Sequence, residues 1–368
     1  MLKQHLQLLQ GFDIQGFQND LIHWFEREQR DLPWRMNKDP YRVWVSEVML
    51  QQTRVEAVKP YYKNFMEKFP TLESLANAHE DEVLKAWEGL GYYSRVRNLH
   101  AAVKEVQETY GGKVPDTPEE IGKLKGIGPY TKGAILSIAY GVPEPAVDGN
   151  VMRVLSRILS VWDDIAKVKT RKLFEDIVRE IIYKENPSYF NQGLMELGAL
   201  ICIPKSPACL LCPVRDHCRA FREGVQKELP VKSKAKAPVI VPIAAGVFRT
   251  EEGKYLVNKR PSSGLLANMW EFPNVELQEG ISNQKQQLAY YMKEKFQAEV
   301  KVEEYLTTVQ HTFSHRTWDI FVFSGTIQGQ VTEKNDVKLL YPEQFEEYAF
   351  SRSHKIIFEA CVQKASLS

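Results

Sequence analysis

The sequence predicts a mostly helical protein with a smaller α+β part at its C-terminal side. Three observations lead there. Up to about Gly224, apolar residues recur at helical spacing. Beyond a lysine-bearing stretch, Val225–Pro238, the pattern turns to β-branched and aromatic runs. Near the end of the helical part, four of the five cysteines crowd into the short segment Cys202–Cys218.

The helical readings are Leu21–Phe25, Val43–Val58, Val83–Leu90, Leu99–Val106, Ile135–Ala139, Val151–Leu159, Leu173–Ile182 and Gly193–Ile201. Pro60, Pro70, Pro115 and Pro143 punctuate them. Val225–Pro238 holds Lys227, Lys232, Lys234 and Lys236, two prolines and few large apolar residues, the composition of a linker. After it, Val239–Phe248 and Tyr255–Lys259 flank Glu251-Glu252-Gly253 and read as strand, turn, strand. Leu306–Gln310 and Trp318–Phe323 read as further strands, and Gln284–Phe296 and Ser353–Val362 as helices. There is no internal repeat.

At 368 residues the chain is expected to hold two or three units, and 43% hydrophobic with 26% charged content describes an ordinary globular protein. No run is apolar enough to span a membrane, and Met1–Gln10 does not read as a secretory signal. Few cysteines, most of them grouped, point to a reducing cytoplasm. A net charge of +1 neither demands nor forbids nucleic acid. Ile121–Pro143, however, carries Lys123, Lys125 and Lys132 and no acidic residue.

Cys202, Cys209, Cys212 and Cys218 are spaced C-x6-C-x2-C-x5-C. Four thiolates suit tetrahedral zinc or an iron–sulfur cluster. Zinc usually takes two compact pairs, and only Cys209 and Cys212 make one. The wider outer arms suit a bulkier cubane better.

Leu124-Lys125-Gly126-Ile127-Gly128-Pro129-Tyr130-Thr131 joins two helices by a hairpin. Gly126 and Gly128 let backbone N–H groups approach an anion, and the following helix N-terminus favours negative charge. A short helix later, Asp148 precedes an apolar helical run in Val147-Asp148-Gly149-Asn150-Val151, as an N-cap does. Asn150 could orient that carboxylate.

Hairpin, Val-Asp-Gly-Asn and cysteine spacing together resemble the endonuclease III superfamily of base-excision DNA glycosylases, over about Leu21–Phe221. Trp44–Thr53, Gly89–Arg95 and the appended C-terminal part are similar to its adenine glycosylase branch. The resemblance implies a helix-hairpin-helix glycosylase fold with an iron–sulfur cluster loop, a 4Fe–4S cluster on the four cysteines, and a C-terminal α+β Nudix-like domain. It implies a cluster-containing helical domain over 1–29 and 136–224 and a helical bundle with the hairpin over 30–135. A linker over 225–238 and the Nudix-like domain over 239–368 would follow. The expected partner is double-stranded DNA with adenine opposite 8-oxoguanine or guanine, met by a monomer on the nucleoid, away from membranes.

Hydrolysing an N-glycosidic bond needs a protonated leaving group and a stabilised sugar cation. Glu47, among apolar neighbours, would keep a proton for adenine N7, and Asp148 would stay ionised beside the sugar. Tyr130 stands where bifunctional relatives place a Schiff-base lysine, which implies a mainly monofunctional enzyme. By resemblance Arg30, Leu32, Trp34, Gln192 and Met195 would build the adenine pocket. Gln52, Thr53, Leu90 and Tyr92 would fill or wedge the duplex. Trp270-Glu271-Phe272-Pro273 matches the strand before the Nudix helix, but Gln284–Phe296 carries Gln286, Gln287, Tyr290 and Tyr291 where a metal-binding R-E-x-x-E-E would stand. That domain should bind, with Phe313, Ser314 and His315 sensing the lesion. An endonuclease III-like glycosylase/lyase for oxidised pyrimidines, a Nudix pyrophosphohydrolase and a non-catalytic DNA-binding protein are the competing readings.

Overall fold

The computed structural model describes residues 3–234, 236–278, 283–313 and 315–363. Two compact units emerge: Met1–Asn77 with Asn98–Lys234, and Ala78–Arg97 with Ala235–Ser368. Among the described residues no helix is long and apolar enough to cross a membrane.

The first unit is helical. One core gathers Phe17, Leu21 and Phe25 from helix Ile14–Glu28, Val151 and Leu155 from Gly149–Ile158, Phe174 and Ile177 from Val168–Ile181, and Phe190 and Leu194 from Pro187–Leu200. All are 0% exposed. Each such side chain contributes about 1.5–3 kcal/mol by leaving water. Two of these helices nearly touch: a Cβ on Gly198 would stand 2.7 Å from that of Asn150. Only glycine permits that approach.

Helix Pro40–Leu50 begins where proline is tolerated, with the Asp39 carboxylate accepting the Arg42 N–H at 2.8 Å. The continuous helix expected over Val43–Val58 is broken after Leu50, because Gln52 adopts φ 58, and the chain restarts as Val55–Lys68. Pro60 does not end that second helix. It sits in the second turn with both it and Glu56 exposed, so water can satisfy the carbonyl its ring leaves unbonded. The expected linker is packed over its first half. Leu229 is 1% exposed in the helical core, and the Ile165 N–H donates to the Val231 carbonyl at 3.0 Å.

The second unit is built on a mixed sheet of β1 (Val239–Arg249), β2 (Tyr255–Lys259), β3 (Trp270–Glu271), β4 (Asn274–Glu276), β5 (Glu299–Thr312), β6 (Arg316–Gln328) and β7 (Val337–Leu340). The order is β3-β2-β1-β6-β5, with β4 on β1 and β7 on β2. Among the strand pairs of the described residues only β1 and β6 run parallel, Ile243 facing Ile320. Helix Gln284–Phe296 lays Leu288 and Met292 on one face, with Phe248 and Phe323. Ile357 of Arg352–Phe358 joins Trp270, Phe272 and Ile320 in a second core. Ala78–Arg97, expected with the helical bundle, groups here because the Glu88 carboxylate accepts the Phe350 N–H at 2.8 Å and pairs with Lys355 at 2.7 Å.

Candidate active site

One cavity in the helical unit, about 150 Å³, collects most of the residues expected to act on the base. Arg30, Leu32, Trp34, Glu47, Thr53, Tyr130, Asp148, Asn150, Gln192 and Met195 all line it, from parts of the chain 165 positions apart. Arg35 and Glu196, not singled out from the sequence, line it too.

Glu47 projects from helix Pro40–Leu50 and is 5% exposed. Burial raises its pKa to about 7, against a hydrogen bond from Tyr130 and with help from the charge on Asp148. The Tyr130 hydroxyl donates to Glu47 Oε2 at 2.5 Å and lies 3.3 Å from Met195 Sδ. Burial first, then Glu47 and Asp148, push the Tyr130 phenol well above its usual range, so it stays a donor.

Asp148 caps helix Gly149–Ile158. Its Oδ1 accepts the Val151 N–H at 2.8 Å and its Oδ2 accepts Asn150 Nδ2 at 2.8 Å. Burial raises its pKa, and the Val151 and Asn150 donors and Arg153 work against that. Arg153, also unforeseen, donates to Asn150 Oδ1 at 2.8 Å, to the Gly198 carbonyl at 2.7 Å and to the Cys202 carbonyl at 2.8 Å. The cysteine loop is thus tied to the carboxylate through two side chains.

The same cavity is lined by Glu196, 1% exposed. Arg30 reaches it with Nε and Nη2, both at 2.8 Å, and with its backbone N–H at 3.0 Å; Arg35 reaches it at 3.0 and 3.3 Å. Burial would raise this carboxyl, but the two guanidinium groups hold it down to about 2. Arg30 is therefore first an ion-pair partner. Leu32 and Trp34 are buried, 2% and 7% exposed, and Trp34 meets Tyr62 edge-on at 5.4 Å. The missed signal was a polar stripe on an apolar helix: Ser188, Gln192 and Glu196 recur every fourth residue.

In the hairpin, Gly126 has φ +81 and an added Cβ would meet that of Asn98 at 2.7 Å, so glycine is required there. Gly128 is exposed and opens helix Pro129–Tyr140. Lys123 and Lys125 are exposed, but Lys132 is spent on Glu144 at 2.9 Å.

Cys202, Cys209, Cys212 and Cys218 line a second cavity, walled by Val154, Ile158, Leu197 and Ile201. Buried Arg157 points into it, donating to Cys202 Sγ at 3.3 Å and to the Ile203 and Pro204 carbonyls at 2.9 Å. Burial and the neighbouring thiols push Cys212 up to about 12. Among the described residues no three His, Cys, Asp or Glu side chains converge on a point as ligands of one ion.

Of the residues expected to meet the duplex, Gln52 is exposed and Tyr92 is 47% exposed. Both hold positive φ, 58 and 49, where side chains other than glycine are strained. Leu90 is 8% exposed, buried rather than presented as a wedge. In the second unit Tyr92, Phe313 and His315 line one cavity with Leu266 and Arg352. Phe313 is half-buried, its ring edge-on to Trp318 at 4.9 Å, while His315 is exposed. Ser314 lies outside the described residues.

A helix-hairpin-helix beside one cavity that holds a buried and a half-buried carboxyl group is the arrangement of a base-excision DNA repair protein, and residues 45–180 match the HhH-GPD superfamily of such proteins. Residues 244–360 match the NUDIX domain. The adenine DNA glycosylase of Rattus norvegicus is 35% identical over 94% of this chain and 78% of its own length, and that of Homo sapiens 33% identical over 94% and 74%. A thermostable thymine-DNA glycosylase shares the fold with a TM-score of 0.52 and 27% identity, over 57% of this chain and 97% of its own. The chain belongs to the adenine DNA glycosylase family. It is a DNA glycosylase, and DNA is its partner.

Proposed function

We propose that the protein hydrolyses the N-glycosidic bond of adenine mispaired with 8-oxoguanine or guanine, acting as a monomer on a flipped base. The observation that carries this is the pairing, in one cavity, of a protonatable Glu47 under the Tyr130 hydroxyl with a capped Asp148. Glu47 gives its proton to adenine N7. The C1′–N9 bond then breaks with its electron pair on the base, and water adds to the sugar cation that Asp148 stabilises. Asn150 and, behind it, Arg153 aim Asp148.

Tyr130 carries no amine, so no Schiff base forms at that position and the enzyme is mainly monofunctional. The four cysteines fit a 4Fe–4S cluster. Sulfurs spread around an apolar void suit a group in which each binds its own iron, whereas one zinc would need all four at about 2.3 Å from one centre. Bound there, the cluster would hold the loop whose Cys202 carbonyl anchors Arg153. Gly126 and Gly128 would meet backbone phosphates. Gln52 and Thr53 would occupy the space the base vacates, and the exposed Tyr92 would meet the duplex. Phe313, Ser314 and His315 would read the opposite base, the Nudix-like domain binding without hydrolysis.

Incubation of the full chain with a labelled adenine:8-oxoguanine duplex should release adenine and leave strands unnicked until alkali is added. Release from a thymine glycol:adenine duplex instead, or nicking at neutral pH, would overturn the assignment.

A further inference from the structure

The Arg30–Arg35–Glu196 cluster of the cavity fixes more than position. Gln192 is expected to read the base, but an amide can present either its oxygen or its nitrogen, and which one faces the base decides what it recognises. Here the choice is forced. Arg35 Nε lies 3.0 Å from the Gln192 side-chain amide, and a guanidinium donates only, so the atom facing it is the oxygen. The other end, Gln192 Nε2, lies 3.0 Å from Ser188 Oγ one turn earlier. Arg35 is itself immobilised, its Nη groups on Glu196 and its guanidinium carbon 5.3 Å from the centre of the Phe25 ring. Glu196 cannot turn away, because both its oxygens are also bound by Arg30.

We infer that Glu196, through Arg35 and with Ser188, is a positioning residue that locks the Gln192 carbonyl as a hydrogen-bond acceptor in the base cavity, selecting a 6-amino purine over a 6-oxo purine. The inference rests on the adenine reading above and deepens it. The carbonyl has two lone pairs, one taken by Arg35, and the second accepts the exocyclic N–H of adenine. Hypoxanthine has the same outline but places an oxygen there, so two acceptors would face each other without a proton between them. A site built around such a contact rejects the wrong partner strongly. Released from Arg35, the amide turns over at little cost, its nitrogen meets a 6-oxo group, and the discrimination falls.

The test uses the full chain on two duplexes, with adenine or hypoxanthine opposite 8-oxoguanine, and reads the ratio of single-turnover excision rates. The unmodified protein should favour adenine strongly. Arg35→Met and Glu196→Gln should lower that ratio by about tenfold to a hundredfold, partly by speeding hypoxanthine removal, the span expected for one polar contact of about 1–3 kcal/mol. Ser188→Ala should lower it by a smaller factor. Thermal melting establishes that each variant is folded; if Glu196→Gln is not, Arg35→Met and Ser188→Ala decide. Folded variants that slow both bases equally, leaving the ratio unchanged, would overturn the inference while leaving the adenine reading intact. If the unmodified protein releases neither base, the adenine reading fails and this inference falls with it.

Discussion

Glu47 and Glu196 face the same cavity, and both are almost wholly buried, 5% and 1% exposed. Yet one is raised to about 7 and the other held down to about 2. Burial pushes both upward. The difference lies in what surrounds them. Glu47 receives one phenol hydrogen bond and feels the charge of Asp148, whereas Glu196 receives two guanidinium groups and a backbone N–H. The comparison teaches that burial supplies the cost of ionising and the donors decide whether it is met. One carboxyl therefore stores a proton for chemistry, and the other stores a fixed charge for geometry.

The strongest way to break this contrast is to neutralise each carboxyl. Glu47→Gln should lower single-turnover excision by about a hundredfold to ten-thousandfold, because no proton remains to give. Its folding should be little affected, since an uncharged carboxyl is replaced by an uncharged amide. Asp148→Asn should act similarly on rate while DNA binding persists. Glu196→Gln should do the reverse in a denaturant melt, losing about 3–5 kcal/mol of stability because two guanidinium groups keep no counter-charge. Equal stability losses in Glu47→Gln and Glu196→Gln would show that the two carboxyls do not differ as described.

The pH dependence separates them again. A raised carboxyl such as Glu47 binds its proton more tightly when folded, so its contribution to stability is full below about 4.5 and is lost as pH climbs through about 7. Excision should fall over the upper part of the same window, as the acid form disappears. The depressed Glu196 contributes fully above about 4.5 and loses that contribution as pH falls through about 2. A rate profile flat between pH 5 and 9 would exclude Glu47 as the acid.

Arg153→Met should cost about tenfold in rate with little change in DNA affinity, because Asn150 loses the donor that aims it. The smallest effect expected is Tyr130→Phe. Its hydroxyl lowers the Glu47 pKa, so removing it should move the fall in rate to higher pH by a fraction of a unit. A shift to lower pH would mean that Tyr130 donates elsewhere during the reaction.

Much of this was legible along the chain. Helical periodicity located the first unit's main helices, and the hairpin and cysteine spacing pointed to the superfamily. Glu47, Asp148, Asn150, Tyr130 and Gln192 were named in advance and do line one cavity. The break after Leu50 was not legible, because Gln52 is an ordinary residue in an unusual backbone conformation. Short β4 and β7 escaped too, since three or four residues carry no period; pairing with β1 and β2 makes them strands, while β3 was reached through the family resemblance alone. Ala78–Arg97 reads as one more amphipathic stretch until Glu88 finds Phe350 and Lys355.

By itself, then, the sequence determined what is local or compositional: where helices start, which glycines the hairpin needs, and which residue types are available for acid, carboxylate and thiolate chemistry. Only the tertiary structure decided which charges meet. Glu196 and Glu47 are both lone glutamates on apolar helices, and the protonation state of neither can be read from its neighbours along the chain. Arg30 and Arg35 come to Glu196 from about 160 residues away, while Tyr130 comes to Glu47 from 83. Protonation state depends on the donors and charges within a few ångströms, and those are set by chain folding rather than by neighbours in sequence.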